Sequence, residues 1–201
     1  MELKVYRCVI DEELTSDLEV SFVSLVGRPA IEKNFLKFNE AKPLTFSIDE
    51  EKRVVSGPAM LADFPIYRKD KDLGEYLVIF EKESIYSMVQ KFFKKGYIQN
   101  FNILHEEAAD DIVIFESFLT DEARGIMPMK GFEDAKDGSW FISAKVDNAD
   151  AWGRVKSGEL NGFSIEGIFQ QIPIKMSTQK STADEVLDKI RKILNETSIS
   201  D

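Results

Sequence analysis

The sequence contains one histidine, His105, which follows the run Phe101-Asn102-Ile103-Leu104 and precedes the acidic residues Glu106, Glu107, Asp110 and Asp111. Carboxylates beside an imidazole favour its charged form, and such an imidazole can act as a general base near neutral pH. Taken alone, a histidine at the end of a strand is more often an ordinary surface turn residue. Ser164 is the second candidate, in Gly158-Glu159-Leu160-Asn161-Gly162-Phe163-Ser164-Ile165-Glu166-Gly167. The glycines allow close backbone approach around its hydroxyl. This is not a Gly-x-Ser-x-Gly nucleophile elbow, because position 166 is Glu, and a strand continues past the serine where an elbow turns into a helix. A serine inside a strand is by itself a packing or solvent-facing residue. A Ser–His pair works better when a third group fixes the imidazole tautomer. With no second histidine, the carboxylates Glu116 and Glu166 are candidates. Glu116 lies on the strand after the histidine turn, and Glu166, two residues from Ser164, leaves the same face of its strand. For each, the plainer reading is a solvated strand residue.

Counting residues excludes other chemistry. Cys8 and His105 are single, so a zinc site of several Cys and His is ruled out, as is an internal disulfide, and a reducing cytoplasmic setting is expected. Asp147, Asn148 and Asp150 lack the glycine and terminal glutamate of a calcium loop and read as helix caps. No cofactor is implied. Asp and Glu total 36 against 26 Lys and Arg, a net charge of −10, which argues against a nucleic-acid partner. No run of about 18 apolar residues is present, so no membrane partner is expected, and the N-terminus has no apolar signal core.

The elements that must carry these residues are mainly strands. Period-two patterning places strands over residues 1–10, 18–26, 54–62, 76–81, 98–104, 112–119, 140–146 and 161–174, with the acidic segment 106–111 joining two of them and residues 63–76 rich in turn formers. Residues 30–52 read as connecting structure. Ile85, Met88, Val89, Phe92 and Phe93 mark a helix, with Ser84 as cap and Gly96 just past its end. A shorter helix carries Ala151, Trp152 and Val155 and is closed by Gly158. After Pro173 a polar linker leads to a capping box at Thr182-Ala183-Asp184-Glu185 and the stripe Val186, Leu187, Ile190, Ile193 and Leu194, a C-terminal amphipathic helix. The expected organisation is a domain over 1–175 and a linker, helix and tail over 176–201. The fold class is α+β, with antiparallel pairing expected because most connections are too short for helical crossovers.

His105 followed 59 residues later by the glycine-flanked Ser164 resembles the tailed-phage prohead proteases. Val23-Ser24-Leu25-Val26-Gly27-Arg28-Pro29-Ala30-Ile31, Val55-Ser56-Gly57-Pro58-Ala59-Met60, Ile66-Tyr67-Arg68, Glu116-Ser117-Phe118 and Gly138-Ser139-Trp140 resemble the phage serine protease branch of defective prophages in Gram-positive bacteria. The resemblance implies a fold like the herpesvirus maturation protease, a mainly antiparallel β-barrel-like core ringed by helices. It implies a serine endopeptidase acting in the host cytoplasm inside the immature capsid (prohead). Phage scaffold and major capsid protein are the implied substrates and partners, with self-cleavage and a homo-oligomer also expected. Ser164 would be the nucleophile, His105 the general base, and Glu116 or Glu166 the third member.

The competing reading is a catalytically inactive capsid-assembly or scaffolding protein on the same fold. A small cytoplasmic esterase is disfavoured by the missing elbow and the absence of βα alternation.

Overall fold

The computed structural model describes residues 3–27, 45–71 and 73–174. They form twelve strands and two α-helices: β1 (Lys4–Val9), β2 (Glu19–Val26), β3 (Ser47–Asp49), β4 (Val54–Met60), β5 (Ile66–Asp70), β6 (Gly74–Ile79), α1 (Lys82–Lys94), β7 (Phe101–Ile103), β8 (Glu107–Ala109), β9 (Ile112–Leu119), β10 (Trp140–Val146), α2 (Ala149–Lys156), β11 (Gly162–Ile168) and β12 (Gln170–Ile174). The α+β class is as expected. The linker and helix read over 176–201 lie outside the described residues.

Among the described residues no barrel closes. The strands form three four-stranded sheets, ordered β12-β1-β6-β5, β3-β4-β10-β9 and β11-β2-β7-β8. Closure requires a ladder that runs on around the sheet, and β3, β7 and β8 are each three residues long. The ring of helices also reduces to two in these residues. Pairing is mostly antiparallel, but β1 lies parallel to β6 and β2 parallel to β7. Connection length says little about such pairs, because each partner is reached only after other strands have been laid down.

Sequence patterning located most elements and missed some. The turn-rich segment 63–76 contains β5, which forms a hairpin with β6 around Gly74 at φ +73°. The acidic segment after His105 contains β8, and the connecting region contains β3. The long strand read over 161–174 is two strands: β11 pairs with β2, and β12 pairs with β1 in a different sheet. A register shift between Glu166 and Gly167 marks where the strand begins to leave. Gly167 packs so closely on the backbone of Glu19 and Val20 that no Cβ fits. Pro58 is accommodated beyond the residues of β4 that pair with β3 and beside a bulge in the β4–β10 ladder.

Helix α1 buries Ile85, Met88, Val89 and Phe92, the spacing that the pattern predicts. It begins at Lys82 with Glu81 as N-cap, three residues before Ser84, and no side chain caps it. The buried Lys91 satisfies its ammonium on the Leu18 carbonyl at 2.9 Å and on Asp11 at 3.4 Å. Helix α2 is capped as expected: Asn148 Oδ1 accepts from Ala151 N at 2.9 Å. One apolar cluster draws on all three sheets, including Cys8 of β1, Val23 of β2, Phe101 of β7, Trp140 of β10 and Phe163 of β11. It presses the inner face of the β11-β2-β7 layer against α1, whose Phe92 meets Trp140 with ring centroids 5.4 Å apart. That layer carries the candidate site on its other face.

Candidate active site

The site begins with strand register. In the β11-β2-β7-β8 sheet, Ser164 of β11 lies directly across from Ser24 of β2, and Ser24 lies across from Asn102 of β7. Residues opposite one another on paired strands share a face. Ser164, Ser24 and Asn102 therefore form a row across three strands. Their neighbours Phe163, Leu25 and Phe101 are buried in the opposite, apolar face. Glu166 joins the row's face from β11, two residues beyond Ser164 and before the register shift.

His105 enters from the end of β7. The chain turns over residues 103–106, with Glu106 N donating to the Ile103 carbonyl at 3.1 Å. Leu104 (φ 56°) and His105 (φ 64°) are both left-handed. Positive φ at both central positions is the signature of a type I′ turn, a tight hairpin link that normally takes Asn or Gly. Non-glycine residues held this way cost conformational energy, and such strain concentrates at functional sites. The turn carries the imidazole back over the row. Nε2 lies 3.1 Å from Ser164 Oγ. Nδ1 lies 2.8 Å from Ser24 Oγ and 3.3 Å from Glu166 Oε2. Asn102 Nδ2 donates to the same Glu166 oxygen at 2.8 Å.

The two carboxylate candidates separate here. Glu166 reaches the imidazole. Glu116 does not: it is exposed on β9, across from Ser143 in the β3-β4-β10-β9 sheet, and among the described residues no hydrogen bond or ion pair joins it to His105. Glu116 is a candidate from sequence because it lies on the strand that comes next after the histidine turn. Instead β8 closes the hairpin with β7, and the chain then crosses to another sheet. Glu106 and Glu107 are likewise exposed, and the carboxylate that reaches the ring comes from 61 residues away.

Sequence reasoning also left Ser24 and Asn102 without a role. Ser24 is a fully buried polar residue between the buried Val23 and Leu25. The visible signal is a polar Ser24 set between the apolar Val23 and Leu25, but no local pattern says which strand it faces.

The arrangement is fit for nucleophilic catalysis. With the proton on Nδ1, the Nε2 lone pair can take the hydroxyl hydrogen of Ser164, and the 3.1 Å separation is within hydrogen-bond reach. Ser164 is partly exposed, and the side chains of His105 and Glu166 are 41% and 44% exposed, so substrate has access. Beside Ser164 is a cavity of about 90 Å³ lined by Cys8, Met60, Ile66, Arg68, Phe163 and Phe169, among others. Burial pushes the Cys8 thiol up to about 11, opposed in part by the charge of Arg68, so the thiol is inert at neutral pH. Burial also lowers Arg68 from its usual value. Among the described residues, no cluster of three or more His, Cys, Asp or Glu is placed to hold a metal.

One family model matches the chain over the segment that carries this Ser–His–carboxylate arrangement. Residues 43–173 match the family described as "Putative phage serine protease XkdF". The chain belongs to that family. The match spans more than half of the chain and includes Asn102, His105, Ser164 and Glu166, while Ser24 lies before it. No match was found among curated proteins or solved structures. Family membership identifies a phage serine protease lineage, and it agrees with the resemblance read from the motifs around residues 55–60, 116–118 and 138–140. Among the described residues, no helix is long and apolar enough to cross a membrane.

Proposed function

We propose that the chain is a serine endopeptidase of the phage prohead, which cleaves scaffold and capsid-protein segments, and itself, during capsid maturation in the host cytoplasm. Ser164 is the nucleophile, His105 the general base and Glu166 the third member. The observation that carries the reading is the 3.1 Å separation of Ser164 Oγ and His105 Nε2, with a carboxylate on the far ring nitrogen. A scaffolding protein that had lost catalysis would have no need to keep these three groups in contact, and the separation therefore supports the enzyme.

The steps follow from the positions of the groups. Ser164 Oγ attacks the scissile carbonyl carbon as its hydrogen passes to Nε2. The new imidazolium is stabilised by the Glu166 carboxylate near Nδ1. The C–N bond breaks as Nε2–H is delivered to the leaving amine. Water, deprotonated by the same nitrogen, then releases the acyl group and restores Ser164. The strand on which Ser164 lies ends one sheet, so β11 presents an edge along which an extended peptide can lie.

The test is co-expression with the phage's own scaffold and capsid proteins, followed by intact-mass spectrometry of wild type and Ser164→Ala. Fragments present with wild type and absent with Ser164→Ala support the protease. Whole chains in both samples, with particles still assembling, support an inactive assembly protein. Equal cleavage in both assigns the cuts to a host enzyme.

A further inference from the structure

We infer that Ser24 is a positioning residue for the base: its hydroxyl oxygen accepts Nδ1–H of His105 and holds the ring so that a free Nε2 faces Ser164. Its catalytic consequence rests on the protease reading above, and its geometry does not. Ser24 Oγ is the nearer of the two acceptors at Nδ1, at 2.8 Å against 3.3 Å for Glu166 Oε2. Ser24 is fully buried, whereas the Glu166 side chain is 44% exposed. Water competes for an exposed carboxylate and screens its charge. A buried hydrogen bond has no such competitor. Ser24 also belongs to a strand paired on both sides, with β11 and with β7, so its Oγ is anchored to the same ladder that holds Ser164.

The roles divide by donor and acceptor capacity. An ionised carboxylate only accepts, so Glu166 favours the tautomer with the proton on Nδ1. A hydroxyl can accept from Nδ1–H or donate to bare Nδ1, so Ser24 alone is indifferent to the tautomer. Glu166 sets the choice only while the ring is held against it, and Ser24 fixes the ring plane and distance that keep Nδ1 there. In that state the Ser24 hydroxyl hydrogen needs an acceptor of its own. Asn102 lies across from Ser24 in register and has a buried Oδ1 with no hydrogen-bond partner, while its Nδ2 holds Glu166. An unpartnered buried oxygen calls for an explanation, and this one makes no hydrogen bond to Ser24 Oγ in the present arrangement. Ser24 of β2 and Glu166 of β11 thus meet Nδ1, and Asn102 of β7 holds Glu166 in place. The family match begins at residue 43, so nothing in it assigns Ser24 a role.

Because His105 is the single histidine, long-range 1H–15N spectra of the full chain show one imidazole and report its tautomer directly. Spectra at pH 8, above the ordinary histidine value of about 6.5, are compared for wild type, Ser24→Ala and Ser24→Thr. In parallel, an alkyl fluorophosphonate labels Ser164, and its saturation kinetics separate binding from the chemical step. The expected wild-type pattern is a protonated Nδ1 and a bare Nε2. Ser24→Ala is expected to mix the two tautomers and to slow the chemical step of labelling about tenfold, the rate equivalent of one lost hydrogen bond, with unchanged binding. Ser24→Thr keeps the hydroxyl and is expected to stay within about twofold of wild type. If the alanine variant fails to fold, Thr and Val at position 24, alike in shape and different in the hydroxyl, give the same contrast. Wild-type tautomer and labelling rate in Ser24→Ala, or equal behaviour of Thr and Val, would overturn the inference. Absence of labelling in wild type would overturn the protease reading instead, and the tautomer pattern would still decide the role of Ser24.

Discussion

The proposed nucleophile and the proposed base are held by different kinds of structure. Ser164 sits inside a ladder that pairs β11 with β2 from Gly162 to Ile168. His105 sits beyond a three-residue strand, on the second of two consecutive left-handed residues, neither of them glycine. The ladder fixes Ser164 through many weak restraints, all satisfied at once. The turn holds His105 through a few: Leu104 N donates to the Leu25 carbonyl at 3.0 Å, Glu106 N donates to Ile103, and the ring itself hydrogen-bonds to the sheet. The active geometry therefore depends on a stiff half and a strained half meeting on β2. The imidazole is part of what keeps its own turn in place.

The largest expected effect comes from cutting the link between the halves. His105→Gln should lower cleavage of scaffold by about 10²–10⁴-fold, the usual share of a general base, while the thermal melt stays cooperative. Near-normal cleavage in this variant would show that another base serves Ser164. A second substitution acts on the stiff half. Gly167→Ala places a Cβ against the backbone of Glu19 and Val20, and the shift this requires should cost about 1–3 kcal/mol. Urea denaturation measures it, and an unchanged midpoint would mean that the β11–β2 contact yields easily. Third, Glu166→Gln keeps a group near Asn102 and removes the charge, and a loss of about tenfold in rate is expected. Glu116→Gln, on another sheet, should leave the rate unchanged. Reversed effects for the two glutamines would restore Glu116 as the third member. The smallest effect belongs to the strained half. Leu104 is 40% exposed at φ 56°, so Leu104→Asn should relieve left-handed strain at little packing cost and raise stability by about 0.5–1 kcal/mol. A lowered melting temperature would mean that the leucine side chain packs on something that outweighs its backbone strain.

The candidate pair was legible because the sequence leaves so few choices. One histidine, and one serine between glycines in an apolar strand, could be named without a fold. Helix α1 was legible from the spacing of Ile85, Met88, Val89 and Phe92, and α2 from Asn148 and Gly158, because caps and periodicity are local. Strands β5 and β8 were not, since their charged residues lie on short edge hairpins where little apolar pattern is required. The break between β11 and β12 was hidden for the opposite reason. Alternation runs through Phe163, Ile165, Gly167 and Phe169 without interruption, and only the partner strand changes.

The amino-acid sequence by itself determined the α+β class, the chemistry open to the chain and the candidate pair Ser164 and His105, through residue types and spacings that hold in any fold. Tertiary structure decided what surrounds them. That Glu166 and not Glu116 meets the imidazole, that Ser24 stands beside it and that Asn102 holds Glu166, follows from the order β11-β2-β7 and from the register within it. Ser24 comes within 2.8 Å of a residue 81 positions away. Such a contact is set by which strands pair and in what register, and the packing of the whole chain selects that pairing.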